Sequence, residues 1–173
     1  MLALILVVSG CATLNENECA YADWYAIGME DGTRGQGMDR LGSHRKACAE
    51  YGVIPETQRY QEGRDEGLTH YCTLSNGLRS GKSGSYYRGV CPAALEADFM
   101  DGYQLGKRMH NVRSELNSKQ YEIDQIEELL ASEEIEEKEE YKLQYDLRDL
   151  EREVGRLQYE LELLEHEEQA LLF

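Results

Sequence analysis

Three copies of one short pattern determine how the first two thirds of this chain can pack. Each copy has an aromatic residue, two further residues, a glycine, three more residues and a second glycine, and the copies occupy 25–32, 60–67 and 99–106. Positions i, i+3 and i+7 share one face of an α-helix, and each glycine inside a helix costs about 1 kcal/mol relative to alanine. Close approach of two helices offsets that cost, so the pattern predicts helices packed through glycines. A glycine-lined surface that admits a ligand is the alternative.

Turn and capping residues place the predicted helices around these copies. Asp23 can accept hydrogen bonds at the start of a helix, Gly52 can end one, and Pro55 and Pro92 favour a first helical turn. Residues 73–91 contain four glycines and are predicted to be a loop. The predicted helices cover 24–33, 39–51, 56–72 and a stretch that begins at Pro92.

The cysteines predict two disulfides. The chain has five, and Cys11 is set aside below as a lipid attachment site, which leaves an even number for an oxidising compartment. Three pairings are possible. We favour Cys19–Cys48, which meet if the first two helices form a hairpin, and Cys72–Cys91, which bracket the next loop. No Cys-x-x-Cys pair is present, so a zinc site and a catalytic thiol are weaker alternatives.

The first eleven residues are typical of an export signal. Residues 2–8 are an unbroken apolar run, too short for a membrane-spanning helix of ~20 residues but suited to a secretory signal. Small residues then precede Cys11, which resembles the lipobox of bacterial lipoproteins. We predict a signal peptide over 1–10 and a lipidated tether over 11–20, in which Cys11 carries a diacylglycerol and an N-acyl lipid. Because Ala12 is not aspartate, sorting rules of enteric bacteria favour the outer membrane.

Two observations leave alternatives at this terminus. No basic residue precedes the apolar run, although signal peptides normally begin with positive charge, and an upstream start codon is one explanation. A buried N-terminal strand is the alternative to a signal.

Cysteine, glycine and aromatic positions recur together over roughly 12–106. They include Asp23-Trp24, Ile27-Gly28, Asp31-Gly32, 44–48, Tyr60, Gly63-Arg64, Gly67-Leu68, Tyr71-Cys72, Asn76-Gly77, Gly81, Gly84, Tyr87 and 89–92. This set resembles an uncharacterised family of proteobacterial lipoproteins, the domain of unknown function numbered 2799. The resemblance implies a secreted lipoprotein and no particular reaction.

The second part of the chain is acidic and periodic. Lys and Arg number 18 against 34 Asp and Glu, a net charge of −16, and residues 107–173 carry −11 of it. Leucines recur every seven residues from Leu143 to Leu171, which predicts a coiled-coil seam. The earlier apolar seam over 109–130 is out of register with it. Since 131–140 contain no Gly or Pro, we favour one continuous helix with a stammer over an antiparallel hairpin.

The predicted fold is therefore all-α. A small, disulfide-braced helical module over 21–106 precedes a long acidic coiled-coil helix, or helical hairpin, over 107–173. The leucine stripe must be covered. The chain can cover it by forming an oligomer, by binding a partner protein or by packing on itself.

One stretch of opposite charge is a candidate binding site. No acidic residue occurs between Thr73 and Leu95, and arginine or lysine beside exposed tyrosine suits a sugar that carries carboxylates, as in peptidoglycan. The alternative is a loop whose basic groups neutralise the acidic helices. The candidate ligand-binding residues are Arg79, Lys82, Tyr86, Tyr87 and Arg88.

No catalytic motif is present. The four histidines are scattered, and His44, beside Arg45 and Lys46, is expected to be solvated or to cap a helix. The acidic charge excludes a general nucleic-acid binder. We therefore expect no catalytic residue and no metal site, with a cryptic hydrolase as a minor alternative.

The expected function is that of a non-enzymatic outer-membrane lipoprotein that faces the periplasm. It would act as an interaction or scaffold protein through its coiled coil, docking a partner protein or itself. The alternative is a peptidoglycan-binding module that uses 73–91.

Overall fold

The computed structural model describes residues 13–132 and 135–172, and this part of the chain forms seven helices and no strand. The predicted all-α class is confirmed. The predictions for the signal peptide and for Cys11 fall outside the described residues. None of the described helices is long and apolar enough to cross a bilayer. The helices are α1 (Glu16–Ala20), α2 (Trp24–Thr33), α3 (Asp39–Ala49), α4 (Thr57–Tyr71), α5 (Leu74–Lys82), α6 (Ala93–Leu130) and α7 (Glu137–Leu172).

Local signals explain several helix ends. The carboxylate of Asp23 accepts hydrogen bonds from the backbone N–H groups of Tyr25 and Ala26 and so starts α2, as predicted. Gly52 follows α3 with φ +71°, a conformation that glycine adopts without a Cβ penalty.

Contacts cluster into two compact units. Among the described residues, the first comprises those from Thr13 to Thr73 together with Tyr87–Ala97, and the second comprises Leu74–Tyr86 with those from Asp98 to Leu172. Helix α6 passes through Lys107, the predicted division, without interruption. Composition changes there while the helix continues.

Both predicted disulfides are present, and both lie in the first unit. The Cα atoms of Cys19 and Cys48 are 5.5 Å apart, and those of Cys72 and Cys91 are 5.6 Å apart. The first bond ties the segment before α2 to α3, and the second ties the end of α4 to the segment before α6.

Paired glycines join two helices in the first unit. A methyl group on Gly28 or Gly32 of α2 would overlap backbone carbonyl oxygens of α4, at Tyr60 and Arg64 respectively. Gly63 and Gly67 of α4 meet α2 in the same way. The residue numbers rise together across the contact, so the two helices run parallel. Packing through glycine is thus the correct reading of the repeated pattern here.

The second unit contains a matching pair, and it corrects one prediction. Residues 73–91 are a loop only in their second part, since Leu74–Lys82 form α5. Gly77 and Gly81 of α5 lie against the backbone of α6, which in turn presents Gly102 and Gly106. This close contact offsets the low helix propensity of glycine. The segment is a fourth copy of the pattern with Leu74 in the aromatic position.

The preference for one continuous C-terminal helix is wrong. Helix α6 ends at Leu130 and α7 begins at Glu137, and the two pack antiparallel. Ion pairs join Arg113 to Glu165 at 3.0 Å and Lys119 to Glu153 at 2.9 Å, so residue numbers fall on one helix as they rise on the other. Folding back buries Leu150, Leu157 and Leu164 of the leucine seam, whereas Leu171 at its end is 36% exposed. The buried cluster is Leu78, Leu105, Met109, Val112, Leu157 and Leu164.

Candidate functional site

Two of the five predicted ligand-binding residues are already engaged within the chain. The ammonium group of Lys82, on α5, pairs with both carboxylate oxygens of Glu168 on α7. The Tyr87 hydroxyl donates to Glu96 at 3.1 Å and accepts from the backbone N–H of Cys91 at 3.0 Å. Burial raises the pKa of Tyr87. These two side chains stabilise the fold.

The other three predicted residues are exposed. Tyr86 has 83% of its surface in solvent, and Arg79 and Arg88 are exposed as well. Arg79 and Tyr86 belong to the second unit, whereas Arg88 belongs to the first. Neither unit by itself therefore assembles the predicted five-residue site.

A buried polar cluster in the first unit was not predicted. One carboxylate oxygen of Asp31 accepts a hydrogen bond from the Tyr60 hydroxyl at 2.7 Å and lies 2.8 Å from Nε2 of His44. The other imidazole nitrogen of His44 is 2.9 Å from the Thr13 hydroxyl. His44 is 2% exposed, so the prediction of a solvated or capping His44 is wrong. His44 and Tyr60 follow Asp31 by 13 and 29 positions in the sequence. The three side chains meet only through folding, and no sequence motif indicates this contact.

The cluster has a defined charge state. Burial alone raises the pKa of Asp31, but hydrogen bonds from His44 and Tyr60 outweigh it, and the pKa is lower than usual. Burial and the hydrogen bond to Asp31 raise the pKa of Tyr60. The carboxylate is thus ionised and the phenol neutral near pH 7.

The chemistry open to this cluster is limited by access. The order hydroxyl, imidazole, carboxylate matches a nucleophile, a base and the group that orients the base. A general base must also reach its substrate, and His44 and Asp31 are 2% and 5% exposed. We interpret the cluster as a brace that holds Thr13, two residues after Cys11, against α2 and α3.

The second unit carries an exposed face on α7 that differs from the rest of the molecule. Successive residues of an α-helix turn by about 100°, which places ten residues between Tyr141 and Ala170 within a sector of about 100° opposite the buried Leu150, Leu157 and Leu164. All ten are exposed and none is acidic. We call this surface the outer face of α7; its members are Tyr141, Tyr145, Arg148, Arg152, Gly155, Arg156, Tyr159, Leu163, His166 and Ala170.

The composition of the outer face is that of a protein interface. Tyrosine and arginine are enriched in the cores of such interfaces, where lysine and glutamate are depleted. The outer face has three tyrosines and three arginines, and it has no lysine or glutamate. Its large apolar side chains lie open to solvent: Tyr141 at 71%, Tyr145 at 55%, Tyr159 at 62% and Leu163 at 51%. This face lies opposite the leucine seam from which the coiled coil was predicted. The same helical arithmetic, applied to the opposite side, would have found this face.

No group of three or more His, Cys, Asp or Glu side chains within 13–132 and 135–172 is placed to hold a metal ion.

Residues 23–108 match the family described as a protein of unknown function, DUF2799. No curated protein and no solved structure matches the chain. The matched residues include all eight glycines of the two parallel helix pairs. They end within α6, so the outer face of α7 lies outside them.

Proposed function

Since residues 23–108 belong to the DUF2799 family, for which no activity is described, we propose from the site that this protein is a lipid-anchored docking protein of the bacterial envelope. Lipid on Cys11 anchors it to the outer membrane on the periplasmic side. The outer face of α7 binds a partner, and the protein catalyses no reaction. The observation that carries the proposal is the exposed row of tyrosines and arginines on α7.

The disulfides support the export half of the proposal. Disulfides persist in oxidising compartments such as the bacterial periplasm and are rare in the cytosol. The two bonds use four of the five cysteines, and the fifth is the predicted lipid attachment site at Cys11.

The hairpin supports the docking half. The sequence alone favoured docking through the leucine seam, but α6 and α7 bury that seam against each other. The opposite side of α7, which stays exposed, is therefore the docking surface that we propose. Contiguous apolar surface that stays exposed marks interaction sites.

Anchoring is tested by the intact mass and location of the native protein. We expect a chain that begins at Cys11, carries acyl groups and sediments with the outer membrane. We expect the Cys11→Ser variant to leave the membrane fraction and to appear in the soluble fraction. An unprocessed chain in the soluble fraction contradicts the anchor.

Docking is tested by the size of the native complex in mild detergent. We expect a species larger than the monomer, and we expect Tyr141→Ser, Tyr145→Ser and Tyr159→Ser together to reduce it to the monomer. The control changes three exposed tyrosines elsewhere and should keep the complex. A wild-type monomer, or equal loss in the control, contradicts docking. The control residues are Tyr21, Tyr51 and Tyr86, with exposures of 86%, 42% and 83%.

A second proposal is binding of peptidoglycan through the segment 73–91. The exposure of Arg79 and Tyr86 within the second unit supports it. Purified sacculi should then retain the protein, and Arg79→Ala with Arg88→Ala should abolish retention. Equal retention of wild type and variant contradicts this proposal.

A further inference from the structure

The outer face of α7 is a narrow strip with acidic borders. At 100° per residue, Asp149, Glu160 and Glu167 lie along one side together with Lys142, and Glu151 and Glu162 lie along the other. Asp149 also pairs with Arg152 of the strip at 2.7 Å. The helix as a whole has five basic and twelve acidic residues, a net charge of −7. Across the exposed side of α7 the charge therefore alternates from negative to positive to negative.

We infer that the outer face of α7 receives a single helix of a partner protein, which carries carboxylates along its line of contact and basic side chains on both sides of that line. This inference rests on the proposed docking function and names the chemistry of the partner. A helix is about 10 Å wide, so it covers the strip and meets both borders. Carboxylates on its midline face the arginines, and its flanking basic groups face the acidic borders.

The borders argue against a broad anionic surface. A membrane of anionic lipids, or an acidic polymer, presents negative charge to the strip and to its borders alike. Exposed charges interact over a screening distance of about 8 Å at physiological salt, which brings the bordering carboxylates within reach of such a surface. Repulsion at the borders opposes the attraction at the strip.

The strip also argues against a second copy of this chain. Two copies that meet through the same face are related by a two-fold axis. An antiparallel pairing centred near Arg152 places Arg148 opposite Arg156 and Arg152 opposite its own copy. Like charges in direct opposition destabilise an interface.

Gly155 marks where the partner helix comes closest. Eight other helical glycines in the described residues lie against the backbone of a neighbouring helix. Gly155 has no atom within 4 Å of the position that a Cβ would occupy, a property it shares among helical glycines only with Gly42 of α3. The strip from Tyr141 to Leu163 covers 23 residues, a rise of about 33 Å at 1.5 Å per residue, and Gly155 lies within it. Eight of the ten helical glycines in the described residues therefore admit a neighbouring helix, and Gly155, unlike Gly42, lies on the exposed strip of tyrosines and arginines.

The test is site-specific photocrosslinking of the full, lipidated chain in the cells that produce it. A benzophenone amino acid replaces Tyr145 or Tyr159, and Tyr121 on α6, which is 65% exposed, is the control position. We expect both α7 positions, and not the control, to crosslink the same protein. The crosslinked peptide should carry Asp or Glu every three to four residues.

Charge reversal completes the test. Arg148→Glu with Arg156→Glu should lower the crosslinking yield about tenfold or more, and changing the mapped carboxylates to arginine should restore it. A matched control, Lys46→Glu with Arg34→Glu, makes the same change in net charge at two exposed residues of the first unit and should keep the yield.

Each outcome is decisive. A lipid, glycan or second-copy adduct, or a peptide without regularly spaced carboxylates, overturns the helical acidic partner and leaves docking intact. Absence of any adduct at both α7 positions overturns the docking function as well.

Discussion

Replacing Gly63 by alanine should separate α2 from α4. A methyl group there would overlap the carbonyl oxygen of Tyr25 and lie 3.0 Å from the backbone nitrogen of Met29. Both obstacles are helix backbone and cannot rotate away. Alanine gains about 1 kcal/mol of helix propensity, but forcing extra volume into a packed contact typically costs 1–3 kcal/mol, and a rigid backbone contact on both sides raises that cost. We expect a net loss of about 2 kcal/mol or more.

The matched control is Gly42→Ala in the same unit. Gly42 lies inside α3 and has no neighbour within 4 Å of a Cβ position, so the substitution should stabilise by about 0.5–1 kcal/mol. The two substitutions have the same chemistry and opposite predicted signs.

The assay is thermal unfolding followed by circular dichroism at 222 nm with both disulfides intact. For a unit of this size, 1 kcal/mol corresponds to about 4–8 °C in Tm, so Gly63→Ala should lower Tm by about 10 °C or more while Gly42→Ala raises it slightly. Equal Tm changes for the two variants, or an unchanged Tm for Gly63→Ala, would refute packing through glycine.

Three further perturbations test individual interactions. The pKa of Asp31 is lowered, so the stabilisation that its carboxylate provides is present above the unfolded-state value of 3.8 and is lost as pH falls below that value. Asp31→Asn should cost about 1–3 kcal/mol at pH 7 and should remove this pH dependence of stability. Urea unfolding should therefore show a smaller advantage of the wild type over the variant at pH 3 than at pH 7. Tyr87→Phe removes two hydrogen bonds and should lower stability by about 1 kcal/mol, whereas Tyr86→Phe should leave Tm unchanged; equal Tm values contradict the bracing role of Tyr87. Opening the Cys72–Cys91 bond, with a separation of 19 residues, should cost about 3 kcal/mol in denaturant unfolding, and no loss would exclude a stabilising role.

Features governed by neighbouring residues could be predicted from the sequence. Asp23 and the periodicity after it predicted α2 at 24–33, the bounds that the structure gives. The disulfide pairing followed from the helix order, because each pair closes a local segment. The DUF2799 resemblance was also readable, since its cysteines, glycines and aromatics occur together.

Features governed by long-range packing could not be predicted so directly. The low helix propensity of glycine argues against a helix at 74–82, yet packing against Gly102 and Gly106 of α6 stabilises a helix there. The burial of His44 depends on Asp31 and Tyr60, which approach it only in the folded unit. The hairpin likewise depends on burial of the leucine seam, which outweighs the absence of a turn residue between α6 and α7.

The candidate site shows the same division. Exposed residues such as Arg79 and Tyr86 were recognisable by type, but the structure was needed to show that Lys82 pairs with Glu168. The outer face of α7 is periodic and local, so the sequence does contain it.

The most direct test of the docking account is tyrosine footprinting of the same chain in native envelopes and after purification without lipid. Docking predicts that Tyr141, Tyr145 and Tyr159 are protected from oxidative labelling in the envelope and become reactive in the purified protein, while Tyr21 reacts equally in both. Equal labelling of the three α7 tyrosines in the two states would contradict the account.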